Sequence, residues 1–526
     1  MQDKAQRLVE GTSAWDKAPH PFVILLMVAT VTLLLAVNPY EGVRAVNLIQ
    51  PLGVALGLAV LTWAISASLT SDRLRRSLAA AAVSLPAILS GYLFGWIRTA
   101  EYSVAIRAGG EVGLLAITIA CALWLIVRIQ WSGTAARFLN LFSAFTVILT
   151  LPAVVGTVIE PRVTVHSDAT LPDTSGLVRP DVYLLVLDAY TGRESLEEIY
   201  GFDNGAFFDS LVARGFAIPE RPRSNYIKTF LSLGSMLNRR YFDELLPPAT
   251  IRVRDRYGLY NRMELNHTIL DLKKLGYEFY YVGSSYPPLA SNRLADVQYS
   301  RRPSREFEKL WLRTTALPPI LQLCALWGLC TMRSVPFSPE SASGTEARIQ
   351  YLVDLIPRRE RKFVFAHWLL PHGPFRFDSK CDHRPPRWTV GVDAIKSDSL
   401  LRRLYVDQLQ CTNQKILDVV DRIRRDGPRD AVIILQADHG YGRFVADKPT
   451  DLALATEEQI RERFDIFAAY AGPGSLSDSL AARRTPVNVF RTLFRVLWGV
   501  DEAPLDDRFY WSDGSRSLHL REVNPE

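Results

Sequence analysis

Residues 431–442 read AVIILQADHGYG, an aliphatic run that stops abruptly at Asp438, His439 and Gly440. A short Val- and Ile-rich run that breaks into polar residues predicts a buried parallel strand ending in a loop. In open α/β sheets ligands sit beyond the carboxyl ends of the strands, and an Asp beside a His offers a hard oxygen and an imidazole nitrogen to a divalent metal. An Asp-His pair after a strand is more often an ordinary loop, so the reading depends on complementary stretches elsewhere in the chain.

Three such stretches exist. In RPDVYLLVLDAYTG, the run Val182 to Leu187 predicts a second buried strand, with Asp188 at its tip. A carboxylate there converges with Asp438 and His439 if the two strands are neighbours in one parallel sheet; taken alone, Asp188 would simply cap the next helix. In SNYIKTFLSLGSMLN (224–238), the apolar spacing predicts an amphipathic helix beginning at Thr229. A helix amino terminus stabilises both an alkoxide and an attached phosphoryl group, and Thr is also a common N-cap; the two roles are compatible. In FVFAHWLLPHGPFRF (363–377), a strand over Phe363 to Ala366 precedes His367, and His372 follows in a Pro-Gly-Pro turn. Such a pair suits phosphate binding, leaving-group protonation or a second metal, although His367 also fits as a core hydrogen-bonder.

The remainder of the chain says where this chemistry sits. Of 526 residues 48% are hydrophobic, and the mean hydropathy of +0.04 is too high for a uniformly soluble protein. The excess lies in Phe22 to Val37, Leu48 to Ala67, Leu78 to Ile97, Val112 to Val127 and Leu139 to Ile159, none of which contains Asp, Glu, Lys or Arg. Each approaches the ~20 residues that cross a bilayer, so five transmembrane helices are expected, with soft boundaries for the short first and fourth. A cleaved signal peptide is disfavoured by Asp3, Glu10 and Asp16 ahead of the first segment and by the four segments after it. Lys4, Arg7 and Lys17, then Arg73, Arg75 and Arg76, then Arg128 and Arg137 mark the cytoplasmic connections. An odd number of crossings places everything after Ile159 outside, in the periplasm or at the outer surface of a bacterial inner (plasma) membrane.

Three regions are expected: a helical membrane domain (1–160), a Pro-containing linker (161–179) and one large extracytoplasmic α/β domain (180–526), long enough to bury a full core. The net charge of +6 and pI near 9.0 come from scattered Arg, which gives nucleic-acid binding no support. Five cysteines form no C-x-x-C pattern; Cys381 and Cys411 can pair outside the cytoplasm, and the odd count leaves connectivity open. Leu317 to Cys330 (LPPILQLCALWGLC) is apolar but too short to span, and fits either a core element or an interfacial helix. The Arg-rich stretch from Arg293 to Arg313 precedes it.

In their order, Asp188, Thr229 with Ser232, His367-x-x-x-x-His372 and Asp438-His439-Gly440 resemble the membrane-anchored sulfatase-like branch of the alkaline phosphatase superfamily. That branch includes lipoteichoic acid synthase and the phosphoethanolamine transferases. The resemblance spans residues 181 to about 500, with YVDQLQCTNQKI (405–416), RFDIFAAY (463–470) and TPVNVFRTLF (485–494) as supporting pieces. It implies an amino-terminal bundle of about five transmembrane helices plus an α/β alkaline-phosphatase-like domain, with a mostly parallel central sheet flanked by helices. It also implies that Asp188, Thr229, Asp438 and His439 ligate a divalent metal (Mn2+, Mg2+ or Zn2+), that Thr229 attacks phosphorus, and that His372 contacts the substrate phosphate.

The departures narrow the expectation. The Cys/Ser-x-Pro-x-Arg signature of sulfatases is absent, since Phe230, Leu231, Ser232 and Leu233 follow Thr229, which disfavours sulfate-ester hydrolysis. Asp188 is followed by Ala189 where sulfatases carry a second Asp; this suggests one metal, with His367 and His372 leaving a second site open. Ser232 or Ser235 takes the nucleophile's place if the helix starts later. The expected function is a metal-dependent phosphotransferase or phosphoesterase acting on a phospholipid or glycan of the envelope. The alternatives are a sulfatase-like hydrolase of another ester and a non-catalytic envelope-binding protein of the same fold.

Overall fold

The computed structural model describes residues 19–37, 45–98, 104–131, 133–158, 179–245, 251–252, 256–299, 306–327, 329, 342–384, 397–442, 452–513 and 517–525. The chain divides into two compact units: Met1–Glu160 with Arg305–Phe337, and Pro161–Ser304 with Ser338–Glu526. The expected linker, apart from Arg179, lies outside the described residues.

The first unit contains helices α1 (Pro21–Val37), α2 (Ala45–Ser66), α3 (Arg73–Arg98), α4 (Val104–Arg128) and α5 (Gly133–Val158). Asn47–Ser66, Arg73–Ile97, Ala105–Arg128 and Gly133–Pro152 are long and apolar enough to cross a membrane, whereas Pro21–Ala36 is apolar but shorter. About five apolar helices were expected, and four reach spanning length among the described residues. The fourth is not short as expected. Arg107 and Glu111, which ended the uncharged run at Val112, lie inside α4, and Glu111 is buried and accepts a 2.6 Å hydrogen bond from the Ser90 hydroxyl of α3. A carboxyl group in such a helix is tolerated when it faces the bundle and finds a partner. Apolar side chains such as Leu61, Ile117, Trp124 and Leu141 instead remain exposed on the outward faces.

Arg305–Phe337 groups with the first unit along with the residues up to Glu160. Its helices α7 (Glu306–Arg313) and α8 (Leu317–Leu326) belong with the spans and not with the flanking α/β chain.

The second unit is built on a six-stranded sheet in the order β4 (Val297–Gln298), β3 (Glu278–Val282), β5 (Lys362–Trp368), β1 (Asp181–Leu187), β6 (Ala431–Ala437), β7 (Ala468–Ala471). All pairings are parallel except β6 with the edge strand β7. A smaller sheet joins β2 (Ile251–Arg252), β9 (Ser517–Glu522) and β8 (Tyr510–Asp513). β1 is buried throughout because both faces of the sheet are covered. Val182, Leu184 and Val186 join one core with helices α6 (Thr229–Asn238) and α11 (Val487–Trp498). Tyr183, Leu185 and Leu187 join another beneath helix α9 (Asp398–Asp426). The period-two alternation of a strand thus divides one apolar run between two cores.

The register positions the site. Leu187 pairs with Ala437 of β6 and Trp368 of β5, so Asp188 and Asp438 are the next residues at level strand tips. His367 lies within β5 opposite Val186, one residue further into the sheet than expected, because the strand runs to Trp368.

Candidate metal centre

At these strand tips Asp188, Asp438 and His439 are all buried, with ligand atoms within 4.8 Å of one another. The Nε2 of His439 lies 3.3 Å from Asp438 Oδ2 and 3.9 Å from Asp188 Oδ1. Its Nδ1 lies 3.0 Å from the carbonyl oxygen of Gly440. A carbonyl only accepts, so the proton belongs on Nδ1 and the Nε2 lone pair is left for the site.

Thr229 Oγ1 is 3.2 Å from that Nε2. Thr229 is the first residue of α6, and the N-cap is Lys228, whose side chain makes no capping bond. The Thr hydroxyl is therefore not committed as a cap and stands at a helix terminus whose leading N–H groups have no intrahelical acceptor. Ser235, an alternative nucleophile, gives its hydroxyl to the Arg240 carbonyl at 2.8 Å.

The two histidines of the third stretch differ. His367 is buried, with Nδ1 2.9 Å from the Ser284 hydroxyl and Nε2 3.8 Å from Asp188 Oδ2. His372 stands in the loop after β5, between the cis peptide bonds Leu370–Pro371 and Gly373–Pro374. Its N–H donates to the Asp188 carbonyl at 3.1 Å, which ties this loop to the tip of β1. The His372 ring packs edge-on against Tyr441, with centroids 6.5 Å apart.

The electrostatics of the pocket are those of an incomplete charge set. Burial, with the Asp438 carboxylate beside it, pushes the Asp188 carboxyl well above the usual carboxylate range. Burial, with Arg463 nearby, pulls His439 well below the usual imidazole value, and burial pulls His367 down to about 4. His372 is lowered for the same first reason. Neutral imidazoles beside carboxylates are the ligand form of these side chains, and a bound cation reverses the cost of ionising the carboxylates. Asp188 Oδ1, Asp438 Oδ2 and His367 Nε2 are buried without a hydrogen-bond partner. Orphaned buried acceptors are rare and costly, and these fit a divalent cation.

Several residues that the sequence reading did not single out hold the loops together. Arg463, at the end of helix α10 (Glu457–Phe464), donates to the carbonyls of Gly440 and Tyr441 at 2.8 Å each and to that of Ile227 at 2.7 Å. It thereby joins the loop carrying His439 to the one carrying Thr229. Gly440 explains the Asp-His-Gly pattern, since a Cβ there would lie 1.9 Å from the Glu462 carbonyl oxygen. Ala189 adopts a φ of 58°, and its N–H donates to Asp438 Oδ1 at 3.0 Å, linking the two strand tips. From α9, the Tyr405 hydroxyl donates to the Ala189 carbonyl at 2.9 Å, and Gln408 Nε2 donates to the carbonyls of Pro371 and His372 at 3.0 Å each. Tyr405 and Gln408, three residues apart, share one face of α9, and only that spacing in YVDQLQCTNQKI hinted at them. The Cys381–Cys411 disulfide adds a covalent tie between the His372 loop and α9. Cys121 and Cys324 are free.

No family model matches the chain, and no curated protein does. Among solved structures it is similar to the C-terminal periplasmic domain of EcEptC from Escherichia coli in complex with Zn, at 14% identity and TM-score 0.43, over 67% of this chain and 94% of that one. It is also similar to the integral membrane lipooligosaccharide phosphoethanolamine transferase A of Neisseria meningitidis, at 14% identity and TM-score 0.40, over 93% and 96% of the two chains. A third likeness is to the phosphonate monoester hydrolase of Agrobacterium radiobacter, at 12% identity and TM-score 0.40, over 64% and 81%. With TM-scores below 0.5, none of these decides what the residues above do.

Proposed function

We propose that this chain is an integral membrane enzyme whose α/β unit, on the outer face of a bacterial inner membrane, transfers or hydrolyses a phosphate ester of an envelope lipid or glycan through Thr229. The observation that carries the proposal is the uncapped Thr229 hydroxyl, 3.2 Å from His439 Nε2 beside two buried carboxylates.

Asp188, Asp438, His439 and Thr229 would hold one divalent cation, and His367 stands beside Asp188 as the nearest further donor. When bound, the cation supplies a Lewis acid that lowers the pKa of the hydroxyl and offsets charge on the phosphoryl group. The lone pair of His439 can ligate a cation or take the Thr229 proton, but not both at once. The two orphaned carboxylate oxygens favour ligation.

The chain's own residues then do the following. The first turn of α6 directs free N–H groups at the phosphoryl oxygens while Thr229 Oγ1, having given its proton to solvent water, attacks phosphorus. The bond from phosphorus to the leaving oxygen breaks, that oxygen takes up a proton from solvent water, and a phospho-Thr remains. His372, held by the Asp188 carbonyl and Gln408, contacts a phosphate oxygen. An acceptor hydroxyl or water then displaces Thr229 and regenerates it. Because the unit is tethered to membrane spans, the favoured donor is a phospholipid head group.

The test is to supply purified full-length protein with phospholipid labelled in its head-group phosphate. Label is expected on Thr229 and then on an acceptor, and Thr229→Ala should abolish both. Turnover that persists in Thr229→Ala, or label on another residue, would refute the assignment.

A further inference from the structure

α8 and the residues after it present a run of exposed apolar side chains: Leu317 is 41% exposed, Ile320 46%, Leu326 53%, Trp327 70% and Leu329 74%. Between Arg313 and Arg333 the sequence contains no Asp, Glu, Lys or Arg. Ten residues of helix measure about 15 Å, half of a ~30 Å hydrocarbon core, so α8 cannot cross. The chain enters the first unit at Arg305 and rejoins the second at Ser338.

The contacts of this segment within its own unit fix its level. Asn47, near the start of α2, donates through Nδ2 to both carboxylate oxygens of Glu308 at 3.0 and 3.2 Å, with both residues buried. Trp311 is buried in the same cluster as Phe22, Met27 and Leu35 of α1. The main chain then meets α3 directly: Gly91 N–H donates to the Thr314 carbonyl at 2.8 Å, and Ala316 N–H donates to the Ala87 carbonyl at 2.7 Å. Gly91 and Ala87 are four apart, the pair an α-helix bonds to each other, so the segment docks on the hydrogen-bond ladder itself, just after Pro86.

Counting back from Arg98, Gly91 and Ala87 lie about 10 and 16 Å inside the end of α3 opposite Arg73, Arg75 and Arg76, which is the outer end by the positive-inside rule. Non-helical backbone at that depth is tolerated only when its polar groups are satisfied by protein. Here they are, and the hydroxyls of Thr314 and Thr315 turn back on the carbonyls of Trp311 and Leu312 at 2.7 Å each. α8 packs against α4, on which Ile106 and Ile117 are also exposed.

We propose that α7 and α8, with the turn between them, form a re-entrant membrane element, with α8 in the outer half of the bilayer and Leu317, Ile320, Leu326, Trp327 and Leu329 against lipid acyl chains. The inference rests on the membrane reading of the first unit and not on the phosphate chemistry, so either can fail alone.

The test uses the full chain reconstituted in phosphatidylcholine–phosphatidylglycerol bilayers. Nitroxide labels are placed by Ile320→Cys and Leu326→Cys in a background where Cys121, Cys324 and Cys330 are Ser. Collision with oxygen is compared with collision with a water-soluble nickel chelate. Ile117→Cys on α4 is the lipid reference, and Leu454→Cys, exposed in the second unit, is the water reference. Both α8 labels should match the lipid reference, with oxygen access several-fold above nickel access. Matching the water reference would overturn the proposal, and so would low access to both reagents, which means that protein covers the face. The two sites check each other, since a misfolded variant gives nickel access that its partner does not share.

Discussion

The two ends of strands β1, β5 and β6 carry the same kinds of buried groups and treat them in opposite ways. At the amino ends, Asp181 lies 2.6 Å from Arg429 Nη1 and 2.8 Å from the fully buried Lys362 Nζ, and it accepts the Lys362 N–H at 3.2 Å. At the carboxyl ends, Asp188 and Asp438 have only imidazoles, and no Lys or Arg, within ion-pairing distance among the described residues. One end is neutralised from within the chain, and the other is where the proposed cation would sit. On the function proposed above, buried charge serves stability at the first end and chemistry at the second.

The largest expected effect that would break this contrast is at the carboxyl end. Asp188→Asn should reduce phosphoryl transfer by at least about a thousandfold, about 4 kcal/mol of barrier, while the melting temperature of metal-stripped protein stays level or rises because one of two facing carboxylates has lost its charge. A fall in that melting temperature would mean the site is structural. At the amino end the effect should invert. Asp181→Ala strands the buried Lys362 ammonium beside the partly exposed Arg429 and should lower stability by about 3–5 kcal/mol, with turnover of the folded fraction at permissive temperature within about twofold of wild type. Thermal melts and initial rates on the same samples separate the two ends.

A smaller effect sharpens the comparison. Divalent metal added to stripped protein at about 100 times its Kd should stabilise it by about 2.7 kcal/mol, and Asp188→Asn should lose that shift. Calorimetry with Mn2+, Mg2+ and Zn2+ in turn also ranks the metals. The smallest effect belongs to the brace between loops. Arg463→Met should cost about tenfold in kcat, about 1.4 kcal/mol, with metal-induced stabilisation retained. If metal binding is lost instead, Arg463 organises the ligands and not the position of Thr229.

What could be read ahead of the structure follows from how local each signal is. Asp188 and Asp438 were legible because each ends an aliphatic run, and parallel register brings such ends level. Thr229 was legible as a helix start, although its place at the first helical residue instead of the cap shows only in backbone geometry. Arg463, Tyr405 and Gln408 act on main-chain carbonyls, a role that no residue type advertises. The start of α4 was hidden because Glu111 looked like a boundary until its partner Ser90 was known. The docking of Glu308, Thr314 and Ala316 was hidden for a similar reason: their partners Asn47, Gly91 and Ala87 lie more than two hundred residues earlier in the chain.

That excursion bears on how the α/β unit can be prepared by itself. A fragment running from Pro180 to Glu526 carries Leu317 to Trp327 away from the helices that shelter Trp311 and Glu308, and it should aggregate or demand detergent. Replacing the stretch that holds α7 and α8 with a Gly-Ser bridge removes the apolar insert and keeps every strand of the six-stranded sheet, which makes it the rational cut for a water-soluble version.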